Sequence, residues 1–420
     1  MCIRRFLKTN SVVIDSSWVA LGNLLSGILS VVALPFLIGI YSKEVYGFYF
    51  TALSIVSIVS IFVGFSVHYK IVIADTEESA NFSLNVAITL NAILSAALML
   101  VLFMVSLCFQ NLYFSFFEWG LIIVSVCFSS LTVDFEHYLN HKSSYRLLAK
   151  YRLARGVAIL CGAFVFSFFL KTLTGLLLAY VAALFLSLVL IFLVSKMART
   201  VSFLPLPVVW NVLREESSFY GYNTMSTFLN SSSTNIFTLL LQFVFGPEIN
   251  TYYNMAVKLF STPILIVGQS IGTVLVKKFA MAKSAGDSLL FIIKKELLPI
   301  IKTSLPICLL VAFSSPYLVP LLLGSGGEVS GWLIRILSPW LYFSLISVPL
   351  SMLIPVMGFH RFGSFYNLVL LSIRVLILLV GLFQVPFFWV ISIFSFAGVV
   401  LNVFFNFFIL KKVRCYELKN

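Results

Sequence analysis

The sequence predicts an all-α membrane protein of about twelve transmembrane helices, arranged as two parallel six-helix lobes (1–200 and 201–420) around a central cavity. Three observations predict it. Of 420 residues, 60% are hydrophobic and only 10% charged, and a mean hydropathy of +1.06 lies far outside the range of soluble globular domains. Apolar stretches of roughly 20 residues recur from end to end, each long enough to cross a hydrocarbon core about 30 Å thick as a helix. A short pattern of residues also returns half a chain later. A closed barrel could satisfy its backbone in lipid too, but it needs strands of about ten alternating residues. Runs such as Asn91 to Phe109 are continuously apolar instead.

The first span, near 15–40, follows Arg4, Arg5 and Lys8. No small-x-small cleavage site follows its apolar core, so it is expected to remain as an uncleaved helix. The second, near 46–68, ends at His68 and Lys70. Spans near 84–109, 117–137, 154–172 and 174–195 complete the first half, and charged punctuation marks their ends. The stretch 197–218, with Pro205, Pro207 and Arg214-Glu215-Glu216, reads as a linker between halves. Spans near 219–245, 249–275, 297–323, 332–357, 362–384 and 387–410 follow.

Charge sets the orientation. With the N-terminus in the cytoplasm, inner segments collect nearly all the Lys and Arg, and the outer side keeps only Lys43 and Lys171. The positive-inside rule then places both termini of this multi-pass chain in the cytoplasm. This bias also accounts for the net charge of +13. The cations are spread over short loops beside apolar helices, which suits anionic membrane lipids and excludes a nucleic-acid face. Trp119, Trp332 and Trp389 fall at outer helix ends, as aromatic belts do. The six cysteines lack CxxC spacing and most lie in apolar runs, so neither a disulfide frame nor a zinc site is expected.

The repeat lies in two outer connectors. Tyr41 to Ala52 and Phe245 to Ala256 align Glu44 with Glu248, Val45 with Ile249, Tyr49 with Tyr253 and Ala52 with Ala256. Six spans separate the copies, so both face one side and the halves are parallel. Parallel repeats are a transporter architecture whose substrate lies near mid-membrane.

These connectors resemble those of the Wzx-type O-antigen flippases, polysaccharide-unit translocases of the MATE-like exporter superfamily. The resemblance continues through His68 to Asn85, through Tyr252 to Ile271 with its Tyr-x-x-Ala-x-Lys pattern, and through Ile334 to Ser351. Asn250-Thr251 departs from it, since that family usually has glycine before the tyrosines. The resemblance implies a flippase that moves an undecaprenyl-diphosphate-linked oligosaccharide from the cytoplasmic to the periplasmic leaflet by alternating access. A saccharide polymerase and a chain-length regulator are its implied partners. No cofactor is expected.

Lys258, Arg335 and Arg374 lie well within spans. A charge there costs about 2.5–3.5 kcal/mol on insertion scales and normally faces a partner or a watery cavity. Lys258 is about 14 Å into its span at 1.5 Å per residue, and Arg374 is similarly deep. All fifteen acids are expected in connectors, tails or span ends, so an anionic cargo could supply the counter-charge. Lys258, at the resembled family's basic position, and Arg374 are therefore candidate diphosphate contacts, with a structural, snorkelling cation as the other reading. Arg335, close to the outer interface, is expected to anchor. Lys70 is a candidate first contact at the cytoplasmic face or simply a topogenic charge.

Span seven is unusually polar. It opens with Tyr222 and Asn223, and Asn223, Thr227, Asn230 and Thr234 share one helical stripe. Such residues either join helices or line a hydrated path for sugar hydroxyls. Asn23, with Ser26 and Ser30, gives a weaker stripe. His137 and His141 have the spacing of a metal pair, but an interfacial role fits a span end better, and no metal is expected.

No Walker loop, Gly-x-Ser-x-Gly elbow or His-Glu-x-x-His motif occurs, so enzymatic chemistry is not expected. A multi-span polymerase or glycosyltransferase would need a sizeable outer loop, and every predicted one is short. A MATE-type small-molecule or ion antiporter is the nearest transport alternative. It would want a deep carboxylate.

Overall fold

The computed structural model describes residues 22, 25–108, 114–195, 201–285, 288–324, 327–357 and 359–417. Regular structure among them is entirely helical. The helices are α1 (Leu25–Ile40), then α2 (Lys43–Gly64), α3 (His68–Ile73), α4 (Glu77–Cys108), α5 (Phe116–His141), α6 (Tyr145–Ser167), α7 (Leu173–Ser195) and α8 (Leu206–Glu215). There follow α9 (Ser217–Phe245), α10 (Pro247–Ala285), α11 (Leu289–Leu323), α12 (Gly327–Ser351), α13 (Leu353–Met357), α14 (His360–Gly381) and α15 (Phe387–Glu417). Eight of these are long and apolar enough to cross a membrane. The four other expected spans coincide with α1, α6, α9 and α10, so each of the twelve predicted spans has its helix.

Local chemistry sets the helix ends. Ser42 caps α2 by accepting from the Val45 amide at 3.2 Å, and Ser115 and Glu118 form a reciprocal capping box at α5. The second predicted span stops at Gly64, not at His68. Phe65 and Ser66 there adopt φ of 45° and 53°, a left-handed pair that ends α2 and redirects the chain into α3. The tenth predicted span breaks at Met352, just after Pro349 in α12, and resumes as α13.

Contacts group the chain into two compact units, Met1–Asn235 and Ile236–Asn420. The dividing line falls inside α9. The core of the first unit gathers Val67, Ile71, Leu84, Phe135, Tyr138 and Tyr151. One core of the second is built from Phe237, Tyr253, Leu333, Leu337, Val390 and Phe394, and another from Leu275, Phe279, Leu350 and Phe405. Lipid tails are as apolar as leucine, so close approach of small residues rather than water exclusion holds such helices together. A Cβ on Gly331 of α12 would lie 2.6 Å from the Ser315 carbonyl oxygen of α11. Gly331 therefore lets the two backbones touch, and Ser315 Oγ donates back to the Gly331 carbonyl at 3.0 Å.

The sequence repeat is also a repeat of environment. Glu44 and Glu248 are exposed in the first turns of α2 and α10, Val45 and Ile249 are half-buried, and Tyr49 and Tyr253 are buried. Ala52 and Ala256 are both 0% exposed.

Candidate functional site

In the first unit, α3 delivers Lys70 to the start of α9. Its Nζ lies 2.6 Å from Glu216 Oε2 and 4.9 Å above the Phe219 ring. Asn223 donates to the Phe219 carbonyl at 2.9 Å, one turn back on its own helix. Tyr222 is exposed beside it. Of the polar stripe, Thr227 joins helices, with Oγ1 3.4 Å from the Tyr69 hydroxyl. Asn230 is exposed, and its carbonyl accepts from Ser233 Oγ at 2.8 Å. Ser231, off the predicted stripe, donates to the Ser57 carbonyl of α2 at 3.2 Å. Asn23 lies outside the described residues.

Ion pairs join neighbouring helices within each unit. Arg152 and Arg155 of α6 hold Glu136 of α5 at 2.6 and 3.0 Å, Lys142 meets Glu77 at 2.7 Å, and Lys278 meets Glu296 at 2.6 Å. The hydrogen bond to Glu77 raises the Lys142 pKa above the usual lysine value.

One expectation is overturned here. Asp134 is 0% exposed inside α5, and neither carboxylate oxygen has a hydrogen-bond partner among the described residues. The charges at Asp134 and Glu136 look like the end of a span. The Arg152 and Arg155 pairs absorb Glu136, and the helix continues to His141. Asp134 therefore sits about 10 Å from the helix end at 1.5 Å per residue. His137 is also not paired with His141. Its ring stacks on His68 with centroids 4.7 Å apart.

In the second unit, α10 presents Asn250, Asn254 and Lys258 at successive steps of four, along one stripe. Asn250 Nδ2 donates to Gln242 Oε1 at 2.8 Å, Asn254 Nδ2 to Asn250 Oδ1 at 2.9 Å, and Thr238 Oγ1 to Asn254 Oδ1 at 3.2 Å. Asn250 and Thr251, the departure from the resembled family, are 0% exposed. Asn250 thus belongs to this buried network, and Thr251 donates to the Pro247 carbonyl at 3.1 Å. Lys258, half-buried, continues the stripe one turn on. Sequence reasoning missed Gln242, Asn250 and Asn254, although their spacing to Lys258 was available.

Arg374 is only 8% exposed on α14. Its guanidinium lies 5.4 Å from the Phe394 ring centroid and 5.8 Å from that of Trp340. A small crevice beside it is walled by Ile373 and Ile377 of α14 and by Ala397 and Gly398 of α15. Arg335 lies over Trp332 and Phe313 at 5.2 and 5.4 Å, the contacts of an anchoring cation.

A family model described as "Polysaccharide biosynthesis protein" matches residues 36–328, more than half of the chain. The chain belongs to that polysaccharide biosynthesis family. Three of the four passages that carry the resemblance fall within the match. No curated protein matches this family member's sequence. Among solved structures, the inward closed conformation of the lipid II flippase MurJ is similar at 14% identity and a TM-score of 0.70, over 97% of this chain and 91% of that one. An outward-facing MATE family multidrug resistance transporter of the MOP superfamily is similar at 13% identity and a TM-score of 0.66, over 97% and 96%. A MOP superfamily transporter from Pyrococcus furiosus is similar at 12% identity and 0.62, over 96% and 95%. At such identities these likenesses speak for the fold: this polysaccharide biosynthesis protein has the MurJ/MATE-like helical architecture.

Proposed function

We propose that this protein is a flippase that carries an undecaprenyl-diphosphate-linked oligosaccharide, an O-antigen or similar repeat unit, from the cytoplasmic to the periplasmic leaflet by alternating access. In this reading it is multi-pass in the bacterial inner membrane with both termini cytoplasmic. Residues 1–200 and 201–420 are its two parallel halves, and a polymerase and a chain-length regulator act beside it. Family membership and the fold shared with a lipid II flippase support the cargo class.

The observation that carries the reading is the α10 stripe, in which a buried amide network leads directly to Lys258. An ammonium suits a diphosphate, and the amides, bonded to one another, hold the helix turns that lead to it. Arg374, held by aromatic faces with no acidic ion-pair partner among the described residues, is a second cation of the same unit for that charge. The test is surface polysaccharide in a strain carrying Lys258→Ala at normal protein abundance. Export should fall, Lys258→Arg should retain it and Lys258→Gln should lose it. Unchanged export in Lys258→Ala removes Lys258 from the mechanism.

A MATE-type antiporter is the second reading, and Asp134 favours it, because cation-coupled exporters use a membrane-buried carboxylate. A gene deletion that lowers drug tolerance and leaves surface polysaccharide intact would select this alternative.

A further inference from the structure

Within the first unit, α2 and α3 meet the N-terminal half of α9 along a seam. The Phe62 and Phe228 rings lie 4.8 Å apart, Ser231 reaches the Ser57 carbonyl, and Tyr69 meets Thr227. The seam is apolar or neutral along its length and ends in the one charged contact between these elements among the described residues, Lys70 with Glu216. The two side chains are 27% and 41% exposed, although the Glu216 Oε2 that meets Lys70 is itself covered, and they lie on the end that the charge bias assigns to the cytoplasm. Glu216 is also where α9 begins, since its carbonyl accepts from the Phe219 and Tyr220 amides at 3.0 and 3.1 Å. An anion beside Lys70 therefore also faces the positive end of the α9 dipole.

We infer that Lys70 is an exchangeable anion site whose resident anion is Glu216, and that an arriving diphosphate takes Glu216's place and so unfastens the start of α9 from α3. That the diphosphate is lipid-linked rests on the function proposed above. The exchange is favourable in principle because a diphosphate brings more charge and more acceptor oxygens than one carboxylate. It is accessible because a partly exposed ion pair holds weakly. Phe219, whose ring lies under the Lys70 ammonium, keeps the cation in place during the exchange. The seam opens when its charged end is released, and the neutral contacts above it then part.

The full-length protein, with native cysteines replaced by serine and carrying Tyr69→Cys with Thr227→Cys, tests this in vesicles of phosphatidylethanolamine and phosphatidylglycerol. The readout is the rate of disulfide formation across the seam. Undecaprenyl diphosphate in the vesicles should slow it roughly threefold or more, as expected for a shifted two-state population. Soluble inorganic diphosphate will do the same if the headgroup alone suffices, whereas phosphatidylglycerol alone will not. Glu216→Gln should slow the reaction without any diphosphate, and Lys70→Gln should be slow and insensitive to diphosphate. The exchange Lys70→Glu with Glu216→Lys should restore the unliganded rate. A wild-type rate in Glu216→Gln, or no response of the wild-type seam to either diphosphate, overturns the inference. Loss of export in Lys258→Ala with a diphosphate-insensitive seam sinks the anion site and leaves the flippase reading standing. A diphosphate-sensitive seam in a protein that exports no saccharide supports the anion site and sinks the flippase reading.

Discussion

The imidazole of His68 lies on that of His137, with planes 22° apart, where the start of α3 crosses the end of α5. His68 lies beyond the end of the α2 span. Burial, and then the His137 ring, push its pKa down to about 3.

A histidine whose folded pKa is depressed stays neutral in the native state while the unfolded chain takes up a proton near pH 6.5. The unfolded state therefore binds more protons in the window between about 6.5 and 3, and stability falls as pH drops through it. From pH 6.5 to 5 the loss is about 2 kcal/mol. Replacing His68 with Phe keeps a ring on His137 and removes this titration. The expected outcome is a thermal transition, followed in detergent, that falls less between pH 7 and 5 than in the wild type. Equal acid sensitivity in both proteins would show that His68 does not set it.

Asp134 is a buried carboxylate with no donor to its oxygens among the described residues. Such a group costs on the order of 1–3 kcal/mol relative to an apolar side chain of similar shape. Asp134→Leu should accordingly raise Tm by several degrees. A lowered Tm would mean that the carboxylate is held by a cation in the native state.

The Gln242–Asn250–Asn254 network should behave as a unit. Asn250→Ala takes an amide partner from the buried Gln242, while Asn254 keeps its bond to the residue 250 carbonyl, and is expected to cost about 1–3 kcal/mol. Gln242→Leu combined with Asn250→Leu should cost less than the sum of the single changes, because it removes both members of the pair. A double-mutant cycle read by thermal unfolding gives the coupling directly, and strict additivity would show that the 2.8 Å bond contributes nothing.

Arg374 lies over the rings of Phe394 and Trp340, which pack on each other. Lysine keeps the charge and loses the planar stacking, so Arg374→Lys should lower stability by roughly 1 kcal/mol through weaker cation–π contacts. Trp340→Leu should produce a similar loss, and the pair together should not add. If Arg374→Lys is as stable as wild type yet exports no saccharide, the guanidinium fork serves the cargo instead of the fold.

Much of the fold is legible along the chain because helices in lipid must be apolar over a fixed length. That constraint writes α2, α7 or α15 into the sequence directly. The repeat is legible for the same one-dimensional reason, and the matched burial of Tyr49 with Tyr253 and Ala52 with Ala256 shows that it records shared packing. Candidate cations such as Lys258 and Arg374 stand out because charge is costly in a span.

Neighbours across helices are not written that way. Which face of α5 turns inward depends on its rotation against its neighbours. The sequence alone therefore places Asp134 at a span end, whereas packing buries it. The partner of Lys70 comes from the start of α9, far along the chain, and His68 meets His137 only because Phe65 and Ser66 turn the backbone between α2 and α3. By itself the sequence determined the helical class, the spans, the repeat and the positions of the interior cations, since each follows from the local cost of placing a residue in lipid. Only the tertiary structure decided which charges are paired, which carboxylate is buried and which polar residues join helices, since those depend on lateral packing that hydropathy does not encode.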